Sequence, residues 1–407
     1  MVVSSTLATA QFSFQSILEP NLTDTLLVGH VIAPLADQSA VLGMTILTLD
    51  ESVSILQLRP TLLKLSPTGE VRWNKVYRNG QENFFPDNID VIPLNNSTDV
   101  LSLIVGSSFS SPNLKETFLV KVDQQGNKIW DKRIEGFTAS NVIQQSNGNL
   151  QMSLPVSASS SAQGVVTMKE NGELLWARQL SVDWINRMTA LRDGSTILSC
   201  FSTDDPILRD IYNQIQSAIL VRLDANGNLI WAKTAEDLHA LDIQELSNGD
   251  LIVSGFSPQD DQPRLARIAQ NGDPVWYKRL DLSMQSRVAN LEVTSDNEII
   301  VYSANPNISY LTKLNEVGDV IWIRALKGST DDEFGKPFAL MPDGGFRVTA
   351  YDSTQNTYLT GLDKNGRLIS CLNSSYCFKS EPLTLALTDI STPSQAVNVN
   401  ITNSMVV

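Results

Sequence analysis

A short motif that recurs six times constrains this chain more than any other feature. A turn glycine is followed four residues later by a tryptophan and, two residues further on, by Lys or Arg. The six copies are Gly69/Trp73/Lys75, Gly126/Trp130/Lys132, Gly172/Trp176/Arg178, Gly227/Trp231/Lys233, Gly272/Trp276/Lys278 and Gly318/Trp322/Arg324. A seventh glycine, Gly366, is followed by Ser370 where the tryptophan is expected. The glycines are 57, 46, 55, 45, 46 and 48 residues apart, a period typical of propeller blades.

Each repeat contains four short apolar runs, separated alternately by a tight turn and a longer connection. In residues 141–180 the pairs Asn147-Gly148 and Asn171-Gly172 predict two-residue hairpins, in which both central residues adopt positive φ. Four-stranded antiparallel sheets repeated seven times can hide both faces by packing radially. The predicted fold is therefore all-β, a seven-bladed β-propeller of four-stranded antiparallel blades (strands A to D from the centre outward) with a short C-terminal β tail.

The chain is expected to form one propeller domain over 1–378 and a strand-like tail over 379–407. Blades are predicted at about 10–77, 88–134, 140–180, 186–235, 240–280, 287–326 and 335–372. We interpret residues 43–58 as a hairpin inserted between strands B and C of blade 1. The alternative is that they are the blade's own A–B pair and that 12–32 are added.

The tail alternates apolar and polar residues in LTLALTDI and AVNVNIT, which predicts two strands. They could seal the outer edge of a blade or add to a sheet of another subunit, and the sequence leaves both open. The repeated tryptophans are expected to supply a flat apolar surface to the neighbouring blade. The basic residue two positions on shares that face of strand D, so its stem covers apolar area while its head reaches water or a loop carboxylate. This packing role is favoured over a cation–π or ligand role.

Composition excludes several classes of protein. The chain has 44 acidic and 30 basic residues and a net charge of −14, which argues against binders of nucleic acid or anionic membranes. No run approaches the 18 apolar residues of a membrane span. Of three cysteines, Cys200 is expected in a buried strand, while Cys371 and Cys377 either bridge or stay free. The first basic residue is Arg59, so a Sec signal is not expected.

The segment WIRALKGSTDDEFGKPFALMPDGGFRVTAYDS, from Trp322, together with the recurrent LDxxGNxxWxK, resembles a propeller repeat of bacterial secreted and surface proteins, notably those of Bacteroidetes. The resemblance covers about residues 60–377. It implies the propeller fold and an extracellular or cell-surface setting. Because no Sec signal is expected, the chain would either be exported by a non-Sec route or stay inside the cell. The resemblance implies no catalytic residues. The repeat is more distantly similar to quinoprotein propellers, whose adjacent cysteine pair is missing here.

Function is expected on the face that carries the irregular B–C and D–A loops, because rigid scaffolds place binding residues on variable loops. Three acidic doublets fall there: Asp204-Asp205, Asp260-Asp261 and Asp331-Asp332. Carboxylates of this kind can bind calcium, although solvated loop charge is the favoured interpretation, and no other cofactor or metal is expected. A short amphipathic helix is predicted within 203–218.

The sequence contains few residue patterns that are typical of catalytic sites. The only histidines are His30 and His239, and no phosphate-binding loop or nucleophile elbow occurs. The leading hypothesis is a non-enzymatic interaction or structural module, a surface adhesin or a subunit of an extracellular assembly. It would bind a protein or glycan through the loop-rich face and self-assemble through its tail. The alternatives are a glycan-binding or glycan-processing propeller, since paired carboxylates could act as in glycosidases, and a component or cargo of a phage-like contractile injection particle.

Overall fold

The computed structural model describes most of the repeat region and short pieces of both termini. The described residues are 14–18, 25–50, 55–77, 84–94, 99–108, 111–135, 137–155, 163–201, 218–235, 237–260, 262–280, 287–305, 308–327, 336–351, 357–367, 380–383, 387–389, 394–396 and 402–403. Over these ranges the chain is all-β, with seven antiparallel sheets arranged as seven blades. The predicted seven-bladed β-propeller is confirmed.

Six blades take four consecutive strands, from the innermost strand A to the outer strand D. In blades 1 to 3 these are β2 (Thr25–Pro34), β3 (Ala40–Asp50), β4 (Ile55–Leu65), β5 (Val71–Val76); β6 (Phe84–Pro93), β7 (Val100–Ser108), β8 (Ser111–Val122), β9 (Lys128–Glu135); and β10 (Asn141–Gln144), β11 (Leu150–Pro155), β12 (Gln163–Met168), β13 (Leu174–Leu180). In blades 4 to 6 they are β14 (Trp184–Ala190), β15 (Thr196–Phe201), β16 (Ala218–Leu223), β17 (Leu229–Ala235); β18 (His239–Glu245), β19 (Leu251–Phe256), β20 (Pro263–Ile268), β21 (Pro274–Leu280); and β22 (Arg287–Val293), β23 (Ile299–Asn305), β24 (Ile308–Leu314), β25 (Val320–Lys327).

Blade 7 is completed by the N-terminal end of the chain. It consists of β26 (Phe338–Leu340), β27 (Phe346–Tyr351), β28 (Thr357–Leu362) and, as its outer strand, β1 (Phe14–Leu18). In register, Phe14 lies opposite Gly361 and Leu18 opposite Thr357. Placing the start of the chain in blade 1 was therefore wrong, because the open edge of strand C in blade 7 selects the N-terminal strand as its partner. Ser370 and Cys371 lie outside the described residues.

The described residues of blade 1 contain no inserted hairpin. Strands β3 and β4 pair continuously, from Ala40 opposite Leu65 to Asp50 opposite Ile55. The two apolar runs within 43–58 thus lie on one long B–C hairpin of the blade itself, and the preferred interpretation and its alternative were both wrong. In blade 2 the hairpin of β7 and β8 is also long and continues to Ser108 opposite Ser111.

The tight turns are three-residue loops rather than the predicted two-residue ones. In blade 3, Gln145 N–H donates to the Asn149 carbonyl (2.8 Å), and Gly148 N–H donates to the Gln145 carbonyl (2.9 Å). Only the glycine adopts positive φ, 86° at Gly148, so Asn147 needs no left-handed conformation. This is a type I turn closed by a left-handed residue. Asn297, at φ 60°, fills that position in blade 6.

Apolar side chains of adjacent blades meet in layers that form the core. Between blades 4 and 5, Leu220 and Ile197 pack in one cluster with Leu251 and Val253, all fully buried. Because each blade packs only on its neighbours, the ring must close to bury both faces of every sheet. A backbone bond from Ile32 N–H to the Lys336 carbonyl (3.0 Å) joins blade 1 to blade 7 at the centre.

The C-terminal tail lies across four blades of the same chain. Its four short strands are β29 (Ser380–Leu383), β30 (Leu387–Asp389), β31 (Ser394–Ala396) and β32 (Thr402–Asn403). They pair antiparallel with β21, β17, β13 and β9, so the tail visits blades 5, 4, 3 and 2 in turn. Of the two alternatives, the structure thus has the pairing with blade edges.

Candidate functional site

The repeated tryptophans dock each blade onto the next. Four of them donate their indole N–H to a backbone carbonyl in the C–D turn of the following blade, at 3.0–3.3 Å: Trp73 to Gln124, Trp176 to Ala225, Trp231 to Gln270 and Trp276 to Glu316. Rings also lie against turn glycines, so that a Cβ added at Gly227 would meet Trp176 at 2.8 Å. The motif therefore joins two blades at each of these interfaces.

At Trp130, the motif tryptophan of blade 2, the basic residue rather than the ring lies nearest to the next turn. The side chain nearest to the turn glycine of blade 3, Gly172, is Lys132, whose Cε would lie 2.5 Å from an added Cβ. Trp130 itself is half-buried and packs against a core cluster that includes Leu119 of blade 2 and Leu150 of blade 3. At this interface the stem of the basic residue therefore covers the turn, while the tryptophan still contacts both blades through the core.

The basic residue of the motif reaches the next turn in other blades as well. Lys75 Nζ lies 2.8 Å from Asn127 Oδ1, and Lys278 Nζ lies 2.8 Å from Asp319 Oδ1. Arg324 Nε donates to the Gly366 carbonyl at 3.1 Å, and its guanidinium lies 5.0 Å from the centre of the Trp322 ring. Packing and cation–π contacts therefore coexist in one interface.

The tail follows the blades with a constant step. Its residues Pro382, Asp389, Ala396 and Asn403 lie opposite the motif's basic residue in blades 5, 4, 3 and 2, namely Lys278, Lys233, Arg178 and Lys132. Successive tail residues in this set are seven positions apart, whereas the basic residues they meet are 45–55 residues apart in sequence. Seven extended residues reach roughly 23–25 Å. The tail thus repeats one register on each of four blade edges.

Blades 1 and 6 present the same kind of edge without a fifth strand in the described part of the chain. Their outer strands, β5 and β25, carry the motif's basic residue as Lys75 and Arg324. A sheet edge has unpaired backbone N–H and C=O groups that can accept another strand. These two edges carry the motif's basic residue at the same position of strand D as the covered edges do.

The centre of the ring differs from the rim because equivalent positions there hold different residues. The position four residues before the A–B turn lies on the innermost strand or, in blade 7, directly before it. From blade 1 to blade 7 it is Val31, Asp90, Asn141, Arg187, Asp242, Asn290 and Pro337. In four blades a β-bulge falls directly before this position, as between Ala240 and Asp242. Bulges of this kind re-aim side chains next to functional sites.

Five charged side chains surround a central cavity of about 130 Å³. They are Asp90, Arg187, Asp242, Glu292 and Lys336, from blades 2, 4, 5, 6 and 7. Lys336 Nζ lies 3.0 Å from Glu292 Oε1, and Arg187 Nε lies 3.7 Å from Asp242 Oδ1. Sequence reasoning missed this cluster, because only an alignment on the A–B turns shows that these residues converge.

Backbone donors hold two of the carboxylates. Asp242 accepts from Ile243 N–H (2.9 Å) and from Leu291 N–H of blade 6 (3.0 Å). Asp90 makes the corresponding contacts to Val91 N–H (2.9 Å) and to Val142 N–H of blade 3 (3.3 Å). Burial nevertheless raises the pKa of Asp90, against the opposing effect of Arg187.

Burial opposes the charged form of Lys336 too, but the carboxylates of Glu292 and Asp242 more than compensate and raise its pKa. The cluster therefore retains a cation at Lys336. At Asp90 the neutral acid is favoured relative to an ordinary aspartate.

Most of the predicted loop-face residues lie outside the described residues. This applies to Asp204, Asp205, Asp261, Asp331 and Asp332, to the helix predicted within 203–218, and to Cys371 and Cys377. Asp260 is described, and its Oδ2 accepts from Arg264 Nη2 at 2.8 Å within the same hairpin. Although partial burial opposes it, hydrogen bonds from Arg264 and Gln262 lower the pKa of Asp260.

Two reactive side chains outside the cavity, the thiol of Cys200 and the imidazole of His239, are buried in the protein. Burial raises the pKa of the Cys200 thiol, which is buried. His239 stacks on Phe256, with ring centres 4.7 Å apart. Among the described residues no group of three His, Cys, Asp or Glu side chains is arranged to hold a metal ion. The described part of the chain also has no helix with the length and hydropathy needed to cross a bilayer.

The chain matches no known protein family and no curated protein. It is similar in structure to the Dos1 propeller, with 9% identity, 82% of this chain and 92% of that chain covered, and a TM-score of 0.52. It is also similar to puromycin hydrolase, with 10% identity, coverage of 83% and 52%, and a TM-score of 0.52. The chain thus spans about half of the hydrolase. At these identities the likeness shows the fold alone, and the fold occurs with and without catalysis.

Proposed function

We propose that the protein is a non-enzymatic interaction module that assembles by adding its C-terminal strands to the blade edges of a second copy. The observation that supports this is the seven-residue step, by which every tail strand meets the same residue of its blade. A repeated edge is a repeated docking position, so the tail of a second copy would find the same register there.

The small size of the contacts between the tail and the blade edges also supports exchange of the tail between two copies. Each tail strand contains only two to four residues, and pairs this short are weak individually. Releasing them unfolds no blade, because every blade except blade 7 is built from its own four strands. Swapping an identical segment between protomers is a low-cost route to assembly. The edges of blades 1 and 6 offer two further positions of the same kind.

Disulfide trapping tests this proposal. In a background with Cys371 and Cys377 replaced by Ser, we pair Lys233→Cys with Asp389→Cys, which lie opposite each other in register. The double variant should close a bond within one chain. An equimolar mixture of the two single variants should give a cross-linked dimer, resolved on a non-reducing gel.

The matched control pairs Arg192→Cys with Asp389→Cys, because Arg192 is exposed in an A–B turn rather than on an outer blade edge, and this pair should cross-link neither within one chain nor between chains. A double variant that closes while the mixture of single variants stays monomeric would restrict the tail to its own chain and overturn the assembly proposal. If neither cross-link forms, the tail register itself is wrong.

A second candidate function uses the loop-rich face. Its support is the long B–C hairpin of blade 1, in which β3 and β4 each have 11 residues, against six to seven in the corresponding strands of blades 3 to 6. This hairpin would bind a protein or glycan in the surface setting that the repeat resemblance implies. A variant in which a short turn joins Thr45 to Pro60, which are paired in register, should lose binding on a glycan array. Unchanged array binding would remove this hairpin as the ligand site, and fractionation of the source cells tests the setting.

A further inference from the structure

Arg187 is buried in the central cavity with little to bind. It is 9% exposed and lines the cavity, and its Nε has no hydrogen-bond acceptor. Its ion pair with Asp242 is 3.7 Å long at the nearest atoms, which is beyond hydrogen-bonding distance. Buried guanidinium groups are normally satisfied by planar, two-pronged contacts with a carboxylate or phosphate. This one is held open toward the cavity.

Aliphatic residues line the cavity as well. They lie on the inner strands of blades 1 to 3 and include Ile32, Ala33, Ile92 and Ile143. The volume of about 130 Å³ corresponds to roughly four water molecules at liquid density. A cavity lined by both a buried cation and aliphatic groups suits a small molecule with one charged end and one apolar end.

We propose that this cavity binds a short aliphatic monocarboxylate of about three to five carbons, with its carboxylate on Arg187 and its chain against Ile92 and Ile143. The site is independent of the tail and of the assembly proposed above.

The surrounding charges select among ligand classes. A phosphate dianion would have to approach the carboxylates of Asp90, Asp242 and Glu292, which is unfavourable at short range. An organic cation would meet Arg187 and Lys336 together. A single negative charge matches the guanidinium of Arg187, whose Nε lacks a hydrogen-bond acceptor, while Lys336 keeps Glu292 at 3.0 Å.

The test is a thermal-shift and calorimetric titration of the full chain with acetate, propionate, butyrate and valerate, and with butyramide and butylammonium as neutral and cationic counterparts. We expect the midpoint of unfolding to rise with propionate to valerate and to stay unchanged with the amide and the ammonium. Binding should be roughly millimolar, given how few ligand atoms contribute. Arg187→Gln should weaken it at least about tenfold, because it removes charge-assisted hydrogen bonds.

Arg192→Gln is the matched control, since this exposed arginine follows the same strand and pairs with Glu245 outside the cavity. If Arg187→Gln does not fold, Ile143→Phe serves instead. The larger side chain narrows the cavity and should shift the binding preference toward shorter acids. Equal effects of butyrate and butyramide, or no loss in either cavity variant, would overturn the proposal.

Discussion

The rim and the centre of the ring are built from equivalent positions but follow opposite rules. At the rim, six blades carry the same tryptophan and a Lys or Arg, and the described indole hydrogen bonds all go to the C–D turn of the next blade. At the centre, one position holds valine, aspartate, asparagine, arginine and proline in different blades. Repetition at the rim is what closing a ring of similar blades requires. Variation at the centre gives one asymmetric cavity, so chemistry specific to this protein is concentrated there.

The largest effect is expected from removing one rim tryptophan. Trp231→Ala deletes a ring that lies over the turn at Gly272 and a hydrogen bond to the Gln270 carbonyl (3.0 Å). Losing a large packed aromatic should cost about 3 kcal/mol of unfolding free energy. Guanidinium unfolding followed by circular dichroism measures it.

Trp184→Ala is the control, because this seventh tryptophan is outside the motif and 38% exposed. We expect its cost to be under about 1 kcal/mol. Equal losses in the two variants would mean that the motif contributes no more than ordinary surface, and the contrast between rim and centre would fail.

Two turn glycines, Gly194 in an A–B turn and Gly227 in a C–D turn at the rim, separate backbone strain from packing. Gly194 and Gly227 have φ of 84° and 77°, so an alanine is strained at both. An added Cβ at Gly194 meets nothing within 4 Å, whereas at Gly227 it meets Trp176 at 2.8 Å and Arg178 at 2.9 Å. We expect Gly194→Ala to cost about 1 kcal/mol and Gly227→Ala about 2 kcal/mol. Identical unfolding midpoints would show that the tryptophan can move aside freely.

Sequence predicted the features that depend on local patterns. The glycine turns, the period and the tryptophans were enough to predict seven four-stranded blades. The partners of β1 and of the four tail strands were not predictable, because a short strand such as FQSIL fits any open edge. The choice depends on which edge remains free once the ring has formed. The convergence of Asp90 and Arg187 was equally hidden, since residues 97 positions apart meet only after the inner strands are aligned.

The buried acid at the centre should give the protein a pH dependence of a definite sign. Burial raises the pKa of Asp90 in the folded state, despite Arg187 and Lys336 nearby. Its stabilising contribution is therefore complete below the pKa of the unfolded chain and is lost as the pH rises through the folded-state pKa. Asp90→Asn should be more stable than the natural protein at pH 7, and this advantage should shrink toward pH 4. Thermal unfolding across that range measures the difference, and an advantage that grows toward acid would show that the folded-state pKa is not raised.

The smallest effect, with the opposite sign, is expected from an acid at the rim. A hydrogen bond and the positive charge of Lys278 lower the pKa of Asp319, which is 64% exposed. Its contribution is present above the pKa of the unfolded chain and is lost as the pH falls through the folded-state pKa. Asp319→Asn should therefore be slightly less stable than the natural protein at pH 7, and the deficit should vanish toward pH 3. Because the pair faces solvent, 0.5 M salt should also remove the deficit, whereas the effect of Asp90→Asn should persist, since buried charges are screened much less. A salt-insensitive deficit at Asp319 would mean that its role is not electrostatic, and the opposite pH signs of rim and centre would then lose their explanation.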